Sequence, residues 1–270
     1  MNRATPFQTV AELEVGIGRA IGRHLETTFR ALAHGPAADH AEGYFRLLTG
    51  EPHPFGNIAI LADSHDMEAA TTAVAPLQAG AFPSAVILSG MDTSADLDEL
   101  LAAAGFVGHE GMPVMGIDTM ALTLTSLPDG YTFERVLDAP AGEEWTHQLA
   151  EGYGLPFGVA RYFSPMVAPV DASPEAPLQF FAIRKQGRIT ATSMLYLADG
   201  LAGIYCVSTI KAERGKGLGA HVTAEPLRYA ARLGYGVGVL QSSDEGYSTY
   251  RRLGFGDFGR LPLYVRIPPR

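Results

Sequence analysis

The run Arg214, Gly215, Lys216, Gly217, Leu218, Gly219, Ala220 has the make-up of an anion cradle. Its glycines permit positive φ and let backbone N–H groups close on a negative group, while Arg214 and Lys216 supply donors for charge-assisted hydrogen bonds. Farther on, Tyr250 carries a phenol, and a tyrosine that packs a short helix against a sheet is one reading of it. The sole cysteine, Cys206, sits among β-branched residues and reads as a small buried hydrophobe rather than a nucleophile. One cysteine excludes an intrachain disulfide and a cysteine metal cluster, and the eight histidines show no paired ligand spacing, so no metal is expected.

These residues need elements to hold them. Residues 204–209 read as a strand, and 221–233 carry helical apolar spacing at Val222, Leu227, Ala230, Ala231 and Leu233 before Gly234. The glycine run therefore joins a strand to the N-terminus of a helix, where exposed amides and the helix dipole favour an anion. A second strand is predicted over 235–243, then a short helix from Gly246 that ends at Gly254. The Gly-Lys-Ser/Thr ending of a P-loop is missing, and no acidic residue follows a second strand as in a Rossmann unit.

The pattern instead resembles the acyl-CoA pyrophosphate loop of the GNAT N-acetyltransferase family, Arg/Gln-x-x-Gly-x-Gly/Ala, at Arg214, Gly217 and Gly219. In that family a tyrosine stands four residues before the Gly of a Leu-Gly-Phe corner. Here Tyr250 precedes Leu253-Gly254-Phe255 in the same way. The resemblance implies a mixed α/β sheet of GNAT type, acetyl-CoA as acyl donor and a primary amine as acceptor. It implies that the backbone of Cys206, Val207 and Ser208 holds the pantetheine arm and that Arg214 to Ala220 hold the pyrophosphate, chiefly through N–H groups. Tyr250 would protonate the departing thiolate. Ser243 would either touch the cofactor or end its strand.

The general base has no equally clear candidate. Many members of the family use a glutamate on the strand before the loop, and 204–209 contain no carboxylate. Asp244 and Glu245 read as a solvated helix cap, Glu213 is expected to face solvent, and His147 is expected to cap or pack a helix.

Composition narrows the function classes. With 270 residues and 47% apolar content the chain can build one large or two small cores. A formal charge of −9 argues against a general nucleic-acid surface, which needs clustered Lys and Arg. No apolar run is long enough to span a bilayer and the start of the chain has no signal-like apolar core, so no membrane partner is expected and the cytoplasm is the expected location.

The family motifs fall in the second half, placed at 129–270 as an N-acetyltransferase domain beyond the turn-forming Leu127-Pro128-Asp129-Gly130. Within it a strand over 133–137, a helix over 141–152, a hairpin about Gln186-Gly187 and a closing strand over 261–267 are predicted. The long segment 152–177, rich in aromatics and prolines, reads as an acceptor-pocket wall, a packing surface between the halves, or a contact with a second copy in a homodimer. The first half, 1–128, has helical spacing over 10–33, strands at 58–61 and 85–88 and a helix over 96–104. Its Ala104-Gly105-Phe106, followed by a strand over 114–117, echoes Leu253-Gly254-Phe255. A tandem protein with a degenerate GNAT-like first half is expected, with an unrelated α/β cap as the alternative.

Three functions are consistent with these residues: an acetyl-CoA-dependent N-acetyltransferase, which the loop and Tyr250 favour, a non-catalytic acyl-CoA binder or sensor, which the missing glutamate permits, and an interaction protein with no ligand.

Overall fold

The computed structural model describes residues 5–13, 16–33, 35–123, 126–166 and 171–269. The chain forms two compact units. One runs over Gly18–Val114 and resumes from Phe258 on. The other takes in the residues before Gly18 and Met115–Asp257.

In the Gly18–Val114 unit the element order is α1 (Ile17–Leu32), β1 (Ala38–Ala41), β2 (Tyr44–Leu48), β3 (Asn57–Leu61), α2 (Met67–Ala79), β4 (Ser84–Leu88), α3 (Ala95–Ala103) and the start of β5 (Val107–Asp118). The helix expected over 10–33 is a 3-10 turn at Val10–Leu13 followed by α1; residues 14 and 15 lie outside the described residues. The β1–β2 hairpin was not expected from sequence. Its signal was Gly43, with φ 83°, ahead of the aromatic pair Tyr44-Phe45. β3 runs parallel to β4 along its length, from Ile58 beside Ala85 to Leu61 beside Leu88. The core lies between these strands and α2 and α3, where Leu61, Val74, Leu77, Leu88, Leu97 and Leu101 are buried.

The Met115–Asp257 unit is built from the end of β5, β6 (Tyr131–Arg135), α4 (Ala139–Tyr153), the short α5 (Phe157–Ala160), β7 (Leu178–Lys185), β8 (Arg188–Ala198), β9 (Leu201–Thr209), α6 (Leu218–Arg232), β10 (Val237–Gln241) and α7 (Asp244–Leu253). Its strands lie in the order β5, β10, β9, β8, β7, β6, with β6 to β9 antiparallel and β9 parallel to β10. The hairpin expected about Gln186-Gly187 is the β7–β8 pair. α6 packs on one face through Ala224, Leu227 and Ala230, with Phe181, Leu195 and Ile204 beneath it. On α4, Trp145 is fully buried and its Nε1 donates to the Phe181 carbonyl at 2.9 Å, which fixes that helix to β7.

The closing strand expected over 261–267 is β11 (Gly256–Arg266), which from Phe258 on belongs to the Gly18–Val114 unit, antiparallel to β4 with Leu263 opposite Ile87. The order strand, helix, parallel strand, helix, strand thus occurs twice along the chain, as β3-α2-β4-α3-β5 and β9-α6-β10-α7-β11. The corner echo holds in three dimensions. Gly105 and Gly254 both have positive φ, at 83° and 104°, the first one residue beyond the Ala104 cap of α3 and the second at the cap of α7, and Phe106 and Phe255 are both buried. Among the described residues no helix is long and apolar enough to cross a membrane.

Candidate active site

β9 and β10 pair only at Ala202 with Gly238 and Gly203 with Val239. Beyond that register β9 continues to Thr209 with β8 on its far side, so the β10-facing edge of 204–209 is left for another partner. A cleft of about 970 Å³ occupies this region, within the size range of small-molecule sites. Val207, Ser208, Arg214, Gly215, Gly217, Leu218, Gly219, Ala220, Ser243 and Tyr250 line it, together with Gly152, Tyr153, Thr123, Gln241 and Glu213 among others. Cys206 and Lys216 stand beside it, outside the lining.

A bulge interrupts β9 at this point. Thr192 is opposite Ser208 and Met194 opposite Tyr205, so Ser193 faces two residues, Cys206 and Val207. Cys206 has φ 53°, its carbonyl accepts from Thr192 Oγ1 at 3.0 Å, and its Sγ lies 3.6 Å from the Phe163 carbonyl. Burial pushes its thiol up to about 12, which suits the sequence reading of an inert cysteine.

The anion cradle is a helix N-terminus with no side-chain cap. α6 begins at Leu218, a turn earlier than the apolar spacing predicted, so Gly219 and Ala220 lie in its first turn rather than in a loop. Gly217 takes the cap position in the left-handed region, φ 79° and ψ 3°, where a Cβ would meet nothing within 4 Å. The first intrahelical bond of α6 runs from His221 N–H to Gly217 O at 3.2 Å, leaving the N–H groups of Leu218, Gly219 and Ala220 at the open end. By contrast Asp66, Ser94, Asp138 and Ser243 cap α2, α3, α4 and α7 with their own side chains.

Charged residues brace the cradle. Arg214 turns its guanidinium to the protein: Nη2 donates to the Gly152 carbonyl at 2.8 Å, Nε to the Thr209 carbonyl at 3.2 Å, and Nη1 pairs with Glu245 at 3.6 Å. Lys216 Nζ lies 2.6 Å from Glu213, and Lys185 Nζ 3.3 Å from the same carboxylate, which also accepts from the Tyr131 hydroxyl. Glu213 was expected to face solvent; its side chain is only 14% exposed because three donors from β6, the end of β7 and the loop converge on it. Lys216, then Tyr131 and Lys185, hold its carboxyl down to about 2 against a smaller desolvation effect. Sequence reasoning missed Tyr131 and Lys185 because only the β6–β7 register, with Tyr131 opposite Lys185, brings them there.

Tyr250 lies on α7 facing the cleft, 8% exposed, with its ring edge-on to Phe255 at 5.9 Å. Burial raises its phenol to about 12, partly offset by a hydrogen bond with Thr223 of α6. Ser243 both lines the cleft and caps α7, its Oγ accepting from Gly246 N–H at 3.2 Å. Tyr153, the last residue of α4, also lines the cleft. Desolvation first, then the neighbouring Tyr250 and Cys206, hold its phenol well above the ordinary value. The residue is 49% exposed, so solvent screens part of this effect.

The predicted wall over 152–177 is described except for 167–170. It contributes Gly152 and Tyr153 to the cleft, and His147 stacks on its Phe157 with ring centroids 4.4 Å apart. Its later part is pinned by Arg135, which donates to the carbonyls of Asp171, Ala172 and Ser173.

No protein-family model matches this chain, and no curated protein matches it. Solved structures do. A GCN5-related N-acetyltransferase from Kribbella flavida is 21% identical, with a TM-score of 0.62 over 95% of this chain and 97% of its own. A GCN5-related N-acetyltransferase from Sphaerobacter thermophilus is 15% identical, with a TM-score of 0.60 over 97% and 93%. A tandem GNAT protein from the clavulanic acid biosynthesis pathway is 13% identical, with a TM-score of 0.56 over 98% of each chain. The protein therefore has the GNAT fold, a mixed α/β sheet architecture, in its tandem form.

Proposed function

We propose that the protein is an acetyl-CoA-dependent N-acyltransferase acting on a primary amine. The observation that carries this reading is the parting of β9 from β10 after Gly203 and Val239, directly ahead of the open N-terminus of α6, with Tyr250 on the facing wall. A strand edge, an anion-binding helix end and a buried phenol match three parts of an acyl-CoA: the amide-bearing pantetheine arm, the pyrophosphate and the leaving sulfur.

In this reading the N–H groups of Gly217, Leu218, Gly219 and Ala220 hold the pyrophosphate. The backbone of Cys206, Val207 and Ser208 pairs with the pantetheine arm, and an N–H of that edge stabilises negative charge on the thioester oxygen. Arg214 and Lys216 set the loop's shape and field through Gly152, Thr209 and Glu213. Acetyl-CoA supplies the activated acyl group. Tyr250, neutral throughout the physiological range, gives its proton to the sulfur as it leaves.

The activity belongs to the half over 129–270. The corresponding turn in the first half, between β3 and α2, has no glycine run, and the Asp66 carboxylate occupies the α2 N-terminus by accepting from Ala69 N–H at 3.0 Å. β3 and β4 stay paired along the strand, so no equivalent slot opens. We therefore read 1–128 as a degenerate GNAT-like half. A cytoplasmic location fits an acetyl-CoA-dependent enzyme.

Replacing Tyr250 by Phe tests the assignment. An enzyme loses turnover and keeps its CoA affinity, whereas a non-catalytic acyl-CoA sensor, the reading favoured by the absence of a carboxylate on β9, shows no turnover to lose.

A further inference from the structure

We infer that Thr223 of α6 is a positioning residue for Tyr250: its hydroxyl holds the phenol in place and donates to the phenolate oxygen while the phenol's proton is on the leaving sulfur. The inference rests on the acyltransferase reading and names a residue behind the cleft lining rather than in it.

Tyr250 is confined on three sides. Its side chain leans back toward the N-terminus of α7, and its Cε2 lies 2.9 Å from where a Cβ on Gly246 would stand, so a glycine one turn earlier leaves the ring its place. Phe255 meets the ring edge-on, with centroids 5.9 Å apart. The hydroxyl end meets Thr223, which is fully buried on the second turn of α6. Ala224 and Leu227 of α6 share one apolar cluster with Tyr250 and Leu253 of α7, which holds the two helices together around this contact.

Thr223 is itself anchored. Its Oγ1 donates to the Gly219 carbonyl at 2.8 Å, one helical turn back. The peptide group that joins Gly219 to Ala220 therefore presents its oxygen to Thr223 and its N–H at the open end of α6. One short chain of bonds thus ties the proposed phosphate site to the proposed acid.

The chemistry gives this chain a task. Burial lifts the Tyr250 phenol to about 12, and the hydrogen bond with Thr223 opposes that rise. An ordinary thiol lies near pKa ~8.5, so passing a proton from such a phenol to a thiolate is uphill by about three orders of magnitude unless the phenolate is stabilised. In the transfer the N–C bond forms and the C–S bond breaks. The phenol's proton goes to sulfur and the O–H electron pair stays on the Tyr250 oxygen. The Thr223 hydroxyl swings its proton from the Gly219 carbonyl, which keeps its bond within the helix, to that oxygen. The phenolate then takes up the proton that the acylated nitrogen sheds, and the phenol is restored.

The test uses Thr223→Val, Thr223→Ala and Thr223→Ser in the full chain, alone and combined with Tyr250→Phe. Release of CoA thiol from acetyl-CoA is followed with glycylglycine and with Nα-acetyl-lysine amide as acceptors. The Tyr250 hydroxyl is read by NMR of protein carrying 13C at the tyrosine Cζ, its resonance assigned by loss in Tyr250→Phe. Thr223→Val is expected to lower kcat by about 10–100-fold, with the KM for acetyl-CoA and the thermal shift from CoA unchanged. It should also move the Tyr250 resonance. Thr223→Ala, which crowds nothing, should behave alike, Thr223→Ser should restore both readouts, and no further loss is expected in the Tyr250→Phe background. Wild-type kcat and an unmoved resonance in both Thr223→Val and Thr223→Ala overturn the inference. A loss that Thr223→Ser does not restore, or that persists at full size beside Tyr250→Phe, marks a packing role and overturns it as well. A wild type with no CoA thermal shift or no turnover removes the acyltransferase reading itself, which keeps that failure distinct from turnover indifferent to Thr223.

Discussion

Arg214, in the first position of the glycine-rich run, donates a 2.8 Å hydrogen bond to the carbonyl of Gly152 at the end of α4. The residue whose charge suggests a phosphate ligand thereby ties the loop to the helix that presents Tyr153. Arg214→Ala removes this bond and that to Thr209 and leaves two carbonyls without their partner. The variant is expected to lose about 1–2 kcal/mol of stability in denaturant unfolding. Its CoA affinity should fall, because the loop loses its anchor. Retention of wild-type stability would contradict the anchoring role.

The same helix end approaches β9 so closely that a methyl group on Gly152 would lie 1.7 Å from Ser208 Oγ and 3.1 Å from its Cβ. Gly152→Ala is expected to destabilise by about 1–3 kcal/mol despite the better helix propensity of alanine. Ser208→Ala, which deletes the clashing oxygen, should restore most of that loss. Thermal unfolding of the two single variants and the double variant measures the coupling.

Tyr250→Phe should lower kcat by about 10²–10⁴ while the thermal shift produced by CoA stays unchanged. With its phenol raised to about 12, Tyr250 in the wild type keeps its proton through the neutral range. No alkaline loss of kcat from this residue is expected below pH about 10. A descending limb between pH 7 and 9 that vanishes in the Phe variant would contradict the raised phenol.

For Glu213 the folded carboxyl is depressed from 4.5 to about 2. A depressed carboxyl adds stability that is fully present above its unfolded value and is lost as pH falls through the folded one. Unfolding followed from pH 5 down to pH 2 should show a decline in the wild type that is shallower in Glu213→Gln. Identical slopes would argue against the Tyr131, Lys185 and Lys216 cluster.

The strand, glycine-rich turn, helix, strand and corner of the second half were legible because their determinants are local: apolar spacing, glycines at positive φ and a helix cap. The start of α6 was misplaced by a turn because Leu218-Gly219-Ala220 carry more glycine than a helix interior tolerates, and open N–H groups rather than propensity set that end. The bulge at Cys206 left no mark in the sequence, since it arises from the pairing of β8 with β9. The Glu213 cluster was hidden for the same reason, being assembled from residues distant in the chain. The swap of β11 to the other unit was invisible because a strand's composition does not name its neighbour.

If acyl-CoA phosphates sit on the open N-terminus of α6, Gly217→Asp should displace them. Aspartate has room at this position and is among the residues that enter the left-handed region, so the fold should survive at a modest cost in strain while the added negative charge repels an anion from the helix end. The measurement is the unfolding midpoint of wild type and variant with and without CoA. At one hundred times its dissociation constant the ligand should stabilise the wild type by about 2.7 kcal/mol, a rise of several degrees, and the variant far less. An unchanged midpoint in the wild type at saturating CoA, or an equal rise in Gly217→Asp, would mean that the phosphates do not bind at this helix end.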